Sequence, residues 1–421
     1  MLAVIRPLRQ ARAAAALLLL AAALALSPLP APAAEPSTHI SVLGSLAGLR
    51  LFEQFEARFW REQVPRLTGG RLEAAVTPFD ATGIRGQDML HLIRLGVVPF
   101  GTVLVSLAAN DEPELAAPDL AMLAPDIGSM RRVMQSYRPR LASIMKEHYG
   151  TELLAVYVYP AQVLFCTTPL PNLEGVRGRR VRTGDSSQAD AVAALGGLPT
   201  VLPFGALRGA LEQRSIDCLI TGSLSGNQAG LHPMLAQVHG MPIAWGLSIF
   251  AANQDAWAAL PAEHRTVLRR GLAVLEQEIW AAAGQDTEDG FRCNAGWPDC
   301  RSGSPGALIW QLPGPEDEAV RRRLLAEQVL PGWVARCGEE CRTAWNTYLA
   351  PMTRIFLPAP SGALPPAAQP GAGTPGPGPL VPAGPFPAAQ SWGVQGAGSQ
   401  AVTGGLPASI TPPAASSTSS R

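Results

Sequence analysis

Residues 170–217 read LPNLEGVRGRRVRTGDSSQADAVAALGGLPTVLPFGALRGALEQRSID, and their pattern sets the fold class. Arg179-Arg180-Val181-Arg182 is a short extended run. A helix follows over 188–195 and ends at Gly196-Gly197, because glycine accepts the left-handed backbone that closes a helix. The apolar run 199–203 leads into a second helix, 206–213. Residues 215–220 are apolar and short, which suits a buried strand. Strand, helix, strand, helix, strand is the rhythm of a parallel sheet with helices on both faces.

The rhythm continues on either side. Upstream, 40–44 reads as a first strand, and Phe52, Phe55 and Phe59 recur at helical spacing until Thr68-Gly69-Gly70. Then come a strand over 72–76, a helix over 88–95, a buried strand over 97–107, an amphipathic helix over 130–148 ending at Gly150, and a strand over 153–159. Downstream, 257–283 is the longest helix, with Pro261 in its first turn and Val267, Leu272, Leu275 and Ile279 on one side. Further helices are expected over 316–334 and 341–355. Residues 35–357 exceed what one hydrophobic core usually serves, so two domains are expected.

The ends differ from this body. Arg6, Arg9 and Arg12 precede an apolar run to Leu26, then Pro28 and the small-x-small triplet Ala31-Pro32-Ala33. That is the layout of a secretory signal peptide over 1–34, and it falls short of the ~20 apolar residues a spanning helix needs. Residues 358–421 are Pro, Gly, Ala and Ser with almost no charge, a composition expected to stay disordered. The protein is expected to be exported, to the periplasm, and no cofactor is called for.

Lys plus Arg and Asp plus Glu each number 33, and no long basic block exists, so the electrostatic footprint of a nucleic-acid binder is missing. Neither glycine-rich nucleotide fingerprint occurs, and none of the six histidines belongs to a His-Glu-x-x-His. Gly222-Ser223-Leu224-Ser225-Gly226 has leucine where a nucleophile elbow needs serine. Gly184-Asp185-Ser186 resembles the nucleophile block of GDS-type lipases and esterases, which makes a secreted serine hydrolase using Ser186 the rival reading. The only Asp-x-x-His, Asp88-Met89-Leu90-His91, lies upstream rather than downstream. Asp185 and Ser186 also suit a helix cap.

An exported chain uses its cysteines in disulfides by default. Of the six, Cys293, Cys300, Cys337 and Cys341 fall in two close pairs, and local pairing, 293 with 300 and 337 with 341, is favoured among three connectivities. A zinc site is the alternative, at spacings that match no familiar zinc motif.

Leu173-Glu174-Gly175-Val176-Arg177-Gly178-Arg179-Arg180-Val181-Arg182, Leu195-Gly196-Gly197-Leu198-Pro199, Leu202-Pro203-Phe204 and Ala210-Leu211 leading to Ile216-Asp217 resemble, in order and spacing, the periplasmic solute-binding proteins of TRAP transporters, the DctP-type family. Thr68-Gly69-Gly70-Arg71-Leu72 and Trp257-Ala258-Ala259-Leu260-Pro261 extend the likeness over most of 40–283. It implies an α/β, two-lobed, periplasmic-binding-protein-like fold with an interlobe cleft and a long connecting helix. Lobe I would combine 35–161 with 247–287, and lobe II would combine 162–246 with 288–357.

The resemblance further implies a protein that is not an enzyme. It captures a small organic carboxylate and delivers it to TRAP membrane subunits. Arg182 matches the family's ligand-pairing arginine, and a guanidinium gives a carboxylate a planar two-point fit. Thr221 stands near the family's ligand asparagine and offers one hydrogen bond without the amide. A second cleft arginine of some members falls near Phe165 and is missing. Ser106 at the end of a buried strand, Gln162 at the first crossover and Trp245 before the return to lobe I complete the expected site, Trp245 reading also, and more readily, as a hinge-packing residue. Cys166 and Cys218 flank cleft strands and allow a disulfide. Arg214, where glycine is usual, reads as surface variation.

Overall fold

The computed structural model describes residues 37–359; the expected signal peptide and the tail from 360 onward lie outside the described residues. Strand β1 (Thr38–Gly44) runs parallel to β2 (Leu72–Pro78) over its whole length, from Thr38↔Leu72 to Gly44↔Pro78, and to β3 (Phe100–Leu104) at Val42↔Phe100. Helix α1 (Ile127–Tyr149) starts at Asp126, whose carboxylate accepts the N–H of Ser129 at 2.7 Å, and closes at Gly150 in the left-handed region. Strand β4 (Thr151–Val158) then reaches the first crossover.

A second sheet begins there, built from β5 (Gln162–Cys166), β6 (Arg180–Thr183), β7 (Leu198–Val201), β8 (Cys218–Gly222) and β9 (Gln237–His239). Helix α2 (Ser186–Ala194) links β6 to β7, and α3 (Ser223–Gln228) follows β8 directly. The chain returns to the first sheet as β10 (Leu247–Asn253), antiparallel to both β3 and β4. All seven of its residues are buried, so its apolar run reads as a strand covered on both faces. The final strand, β11 (Ile309–Gln311), adds to β9. The orders are β2-β1-β3-β10-β4 and β11-β9-β5-β8-β6-β7, giving two sheets with helices packed about each. The architecture is α/β and two-lobed.

Two expectations are corrected. The strand expected over 97–107 stops at Leu104, and Val105–Ala108 turns into helix, so Ser106 sits on that helical turn rather than at a strand end. The helix expected over 257–283 is two. Gln254–Ala259 is capped by the Asn253 side chain, which accepts from Asp255 and Ala256, and Pro261 then starts α4 (Ala262–Asn294), 33 residues long. That helix passes through Gly290, where any Cβ would collide with the backbone of Ser223 and Leu224, so glycine lets α4 lie directly on α3. The two expected C-terminal helices are divided at Gly338, φ 86°.

All six cysteines are in disulfides: Cys293–Cys300, Cys337–Cys341 and Cys166–Cys218. None is left for zinc. Cys166 lies opposite Cys218 in the β5–β8 pairing, so the crosslink joins neighbouring strands.

Candidate functional site

A cavity of about 650 Å³, open solvent at its mouth included, lies where strand ends from both sheets meet. Parallel strands bring their carboxyl ends to it: Leu46 just beyond β1, Leu104 of β3, Arg182 of β6 and Thr221 of β8. Antiparallel β5 and β10 bring their first residues, Gln162 and Leu247. Open α/β sheets place ligands beyond the carboxyl ends of their strands for this topological reason.

The arginine-rich run sorts itself by depth. Arg180 pairs with Asp217 at 2.7 Å on the surface, and Arg179 bonds the Thr168 hydroxyl, also exposed. Val181 turns into the core. Arg182 is only 5% exposed, and its Nε donates to the Leu202 carbonyl at 2.8 Å while Nη1 donates to that of Ile220. Its Nη2 has no partner among the described residues, and no carboxylate stands within ion-pairing distance. Burial lowers its pKa to about 10, with Asp185 opposing the shift.

Two half-buried acids share this wall. Asp119, at the end of the turn Pro113–Asp119, receives the N–H of Trp245 at 2.8 Å and of Leu247 at 2.9 Å. Burial pushes its pKa up to about 7 against those bonds, and Asp185 adds repulsion. Asp185 caps α2: its Oδ1 accepts from the Gln188 N–H at 2.9 Å and the Ser187 hydroxyl at 2.7 Å. Burial raises its pKa too, opposed by these bonds and by Arg182. Leu46, Leu49, Leu107 and Phe204 make the remaining wall apolar.

Of the five residues expected at the site, the cavity brings together Arg182, Thr221, Gln162 and Ser106. The Gln162 amide fits because Gly246, φ 68°, has no side chain to meet it. Trp245 is not among the lining residues. Its indole is 3% exposed and donates to the Ala124 carbonyl at 3.0 Å, so it packs behind the wall as part of the core. Sequence reasoning missed Asp119, Tyr159, Gln188 and Ser225, all of which line the cavity. Ser225 belongs to the glycine-flanked segment that fails as a nucleophile elbow.

The hydrolase constellation is not assembled. Ser186 sits in the first turn of α2 without a hydrogen bond to any histidine among the described residues. Asp88 is held by Arg85 at 2.8 Å, and His91 by Asp111 at 3.1 Å, both on the surface.

Solved structures share this fold. DctP7 of Bordetella pertussis, an extracytoplasmic solute receptor binding pyroglutamic acid, is 22% identical at a TM-score of 0.65, covering 74% of this chain and 99% of that one. A TRAP periplasmic solute-binding protein of Desulfovibrio salexigens with bound orotic acid is 16% identical at a TM-score of 0.66, covering 76% and 99%. One from Marinobacter aquaeolei VT8, in an apo open structure, is 21% identical at 0.62, covering 73% and 98%. The model of the DctP family, bacterial extracellular solute-binding protein family 7, matches residues 52–290, more than half of the chain, and the protein belongs to that family.

Proposed function

We propose that the protein is an exported receptor that captures a small organic carboxylate at Arg182 and hands it to the membrane subunits of a TRAP-type transporter. One observation carries the reading: a buried guanidinium, fixed by two backbone carbonyls, lines the cavity with no acid in ion-pair contact, Asp185 acting on it only at longer range. Desolvating an unpaired charge is costly, and a ligand carboxylate removes that cost by bonding to it. Thr221, Gln162 and Ser106 supply further polar contacts, and Leu46, Leu49 and Phe204 cover the apolar part of the ligand.

Lobes divided at 161/162 and 246/247 close over the acid as a hinge, since a ligand favours whichever state binds it better. No helix among the described residues is long and apolar enough to cross a membrane, so delivery falls to separate subunits. Nothing in the cavity calls for bond breaking. The acids bound by structural relatives, pyroglutamate, orotate, galacturonate and gulonate, form the first test panel.

Thermal denaturation with and without each acid tests the proposal, because a ligand at 100 times its Kd stabilises by about 2.7 kcal/mol. At least one acid is expected to raise the Tm of the wild type and to leave Arg182→Met unmoved. Methionine fills the same channel without charge, so the variant is expected to fold. A shift kept in full by Arg182→Met sinks the proposal.

A further inference from the structure

The carboxylate reading leaves open what else the ligand must carry, and the cavity's charges answer that. Among the lining residues Arg182 is the one cation, whereas Asp119 and Asp185 are both acids. Asp119 has each oxygen engaged by a backbone N–H of the crossover. Asp185 differs: its Oδ1 takes both donors from α2, and its Oδ2 has no hydrogen-bond partner among the described residues. The neighbouring Gln188 is no substitute, because its amide oxygen is already used by the Gly184 N–H at 2.8 Å.

Once a ligand displaces water from this wall, the free acceptor needs a donor from the ligand, and leaving it unmet weakens binding. A ligand carboxylate at Arg182 has no proton to give. A second ligand carboxylate or a phosphate would find no further cation, and its charge would lie unpaired beside two acids. We propose that the bound acid carries a single negative charge and, besides it, an N–H or O–H group that donates to Asp185, so that dianions of similar size are rejected. The inference rests on Arg182 holding the ligand's carboxylate.

Four acids of one length test it by calorimetry on the full chain: pentanoate, with no second polar group; 2-hydroxypentanoate, with a donor beside the carboxylate; glutaramate, with an amide donor at the far end; and glutarate, with a second carboxylate. The better of the two donor-bearing acids is expected to bind at least about tenfold tighter than pentanoate and glutarate, the worth of one charge-assisted hydrogen bond. Asp185→Asn keeps a capping oxygen for Gln188 and replaces the free one with N–H. It is expected to erase most of that advantage and to bring glutarate level. If glutarate matches the better donor acid in the wild type, or Asp185→Asn leaves the preference unchanged, this inference fails while the carboxylate reading stands. If none of the four binds, this inference fails, and the carboxylate reading is decided by the thermal panel with Arg182→Met.

Discussion

Asp119 holds the returning chain at Leu247: its carboxylate receives the Leu247 N–H at 2.9 Å, across 128 residues of sequence, and the Trp245 N–H at 2.8 Å. The same carboxylate forms part of the cavity wall, so one group ties the crossover to the candidate site.

That position predicts a pH signature. Burial raises Asp119 from 3.8 to about 7. The folded protein therefore keeps its proton where the unfolded chain has released it. The resulting stabilisation is full below about pH 4 and is lost as pH rises to about 7. Asp185 and Asp286 are also raised and push the same way, so the contribution must be isolated by difference. The Tm of the wild type minus that of Asp119→Asn is expected to shrink from pH 4.5 to 7 and to stay level above. A gap that is flat over this range rules out the assignment.

Local signals made most of the fold legible. Glycines at Gly150 and Gly196 marked helix ends, Asp185 suited its cap, and close cysteine spacing foretold two disulfides. The candidate cavity was legible chiefly where side-chain type and strand end coincide, as at Arg182, Thr221 and Gln162, with Ser106 just past one. Asp119 carried no such signal: it ends an irregular turn, and its partners lie far along the chain. Trp245 read two ways, as ligand cover or as hinge packing, and it packs. A tryptophan near a crossover can face either way, and here its indole has a carbonyl to satisfy inside the core. The Cys166–Cys218 bond depended on strand register, which spacing alone does not reveal.

Arg214 supplies a prediction about backbone strain. The helix Leu207–Glu212 ends with the Arg214 N–H bonded to Leu211 O at 3.0 Å and the Ser215 N–H bonded to Ala210 O at 2.9 Å. That pairing needs a left-handed residue between, and Arg214 has φ 51°. The sequence reads it as surface variation, yet the position asks for glycine. Arg214→Gly is expected to stabilise the fold by about 1 kcal/mol, less the extra freedom of the unfolded chain, seen as a higher urea midpoint. Arg214→Ala, which keeps the Cβ, is expected to show no gain. A gain shared by both variants assigns the effect to lost charge instead.

Arg50 and Asp286 form the last test. Arg50 leads out of the loop after β1, its N–H meets the Gln228 side-chain oxygen of α3 at 3.3 Å, and its guanidinium pairs with Asp286 on α4. This joins the first sheet's loop to two helices beyond it. Asp286 is only 9% exposed, and burial holds its pKa up at about 6 even with Arg50 beside it. Without the guanidinium that carboxyl keeps its proton to higher pH still. The cost of Arg50→Ala should therefore grow as pH rises through 6: small at pH 5, where Asp286 is largely protonated with or without Arg50, and about 1–3 kcal/mol at pH 8. Urea denaturation of both proteins at the two pH values measures it. An equal loss at pH 5 and pH 8 means that Arg50 acts through packing on Phe55, whose ring it overlies at 5.4 Å, and not through the ion pair.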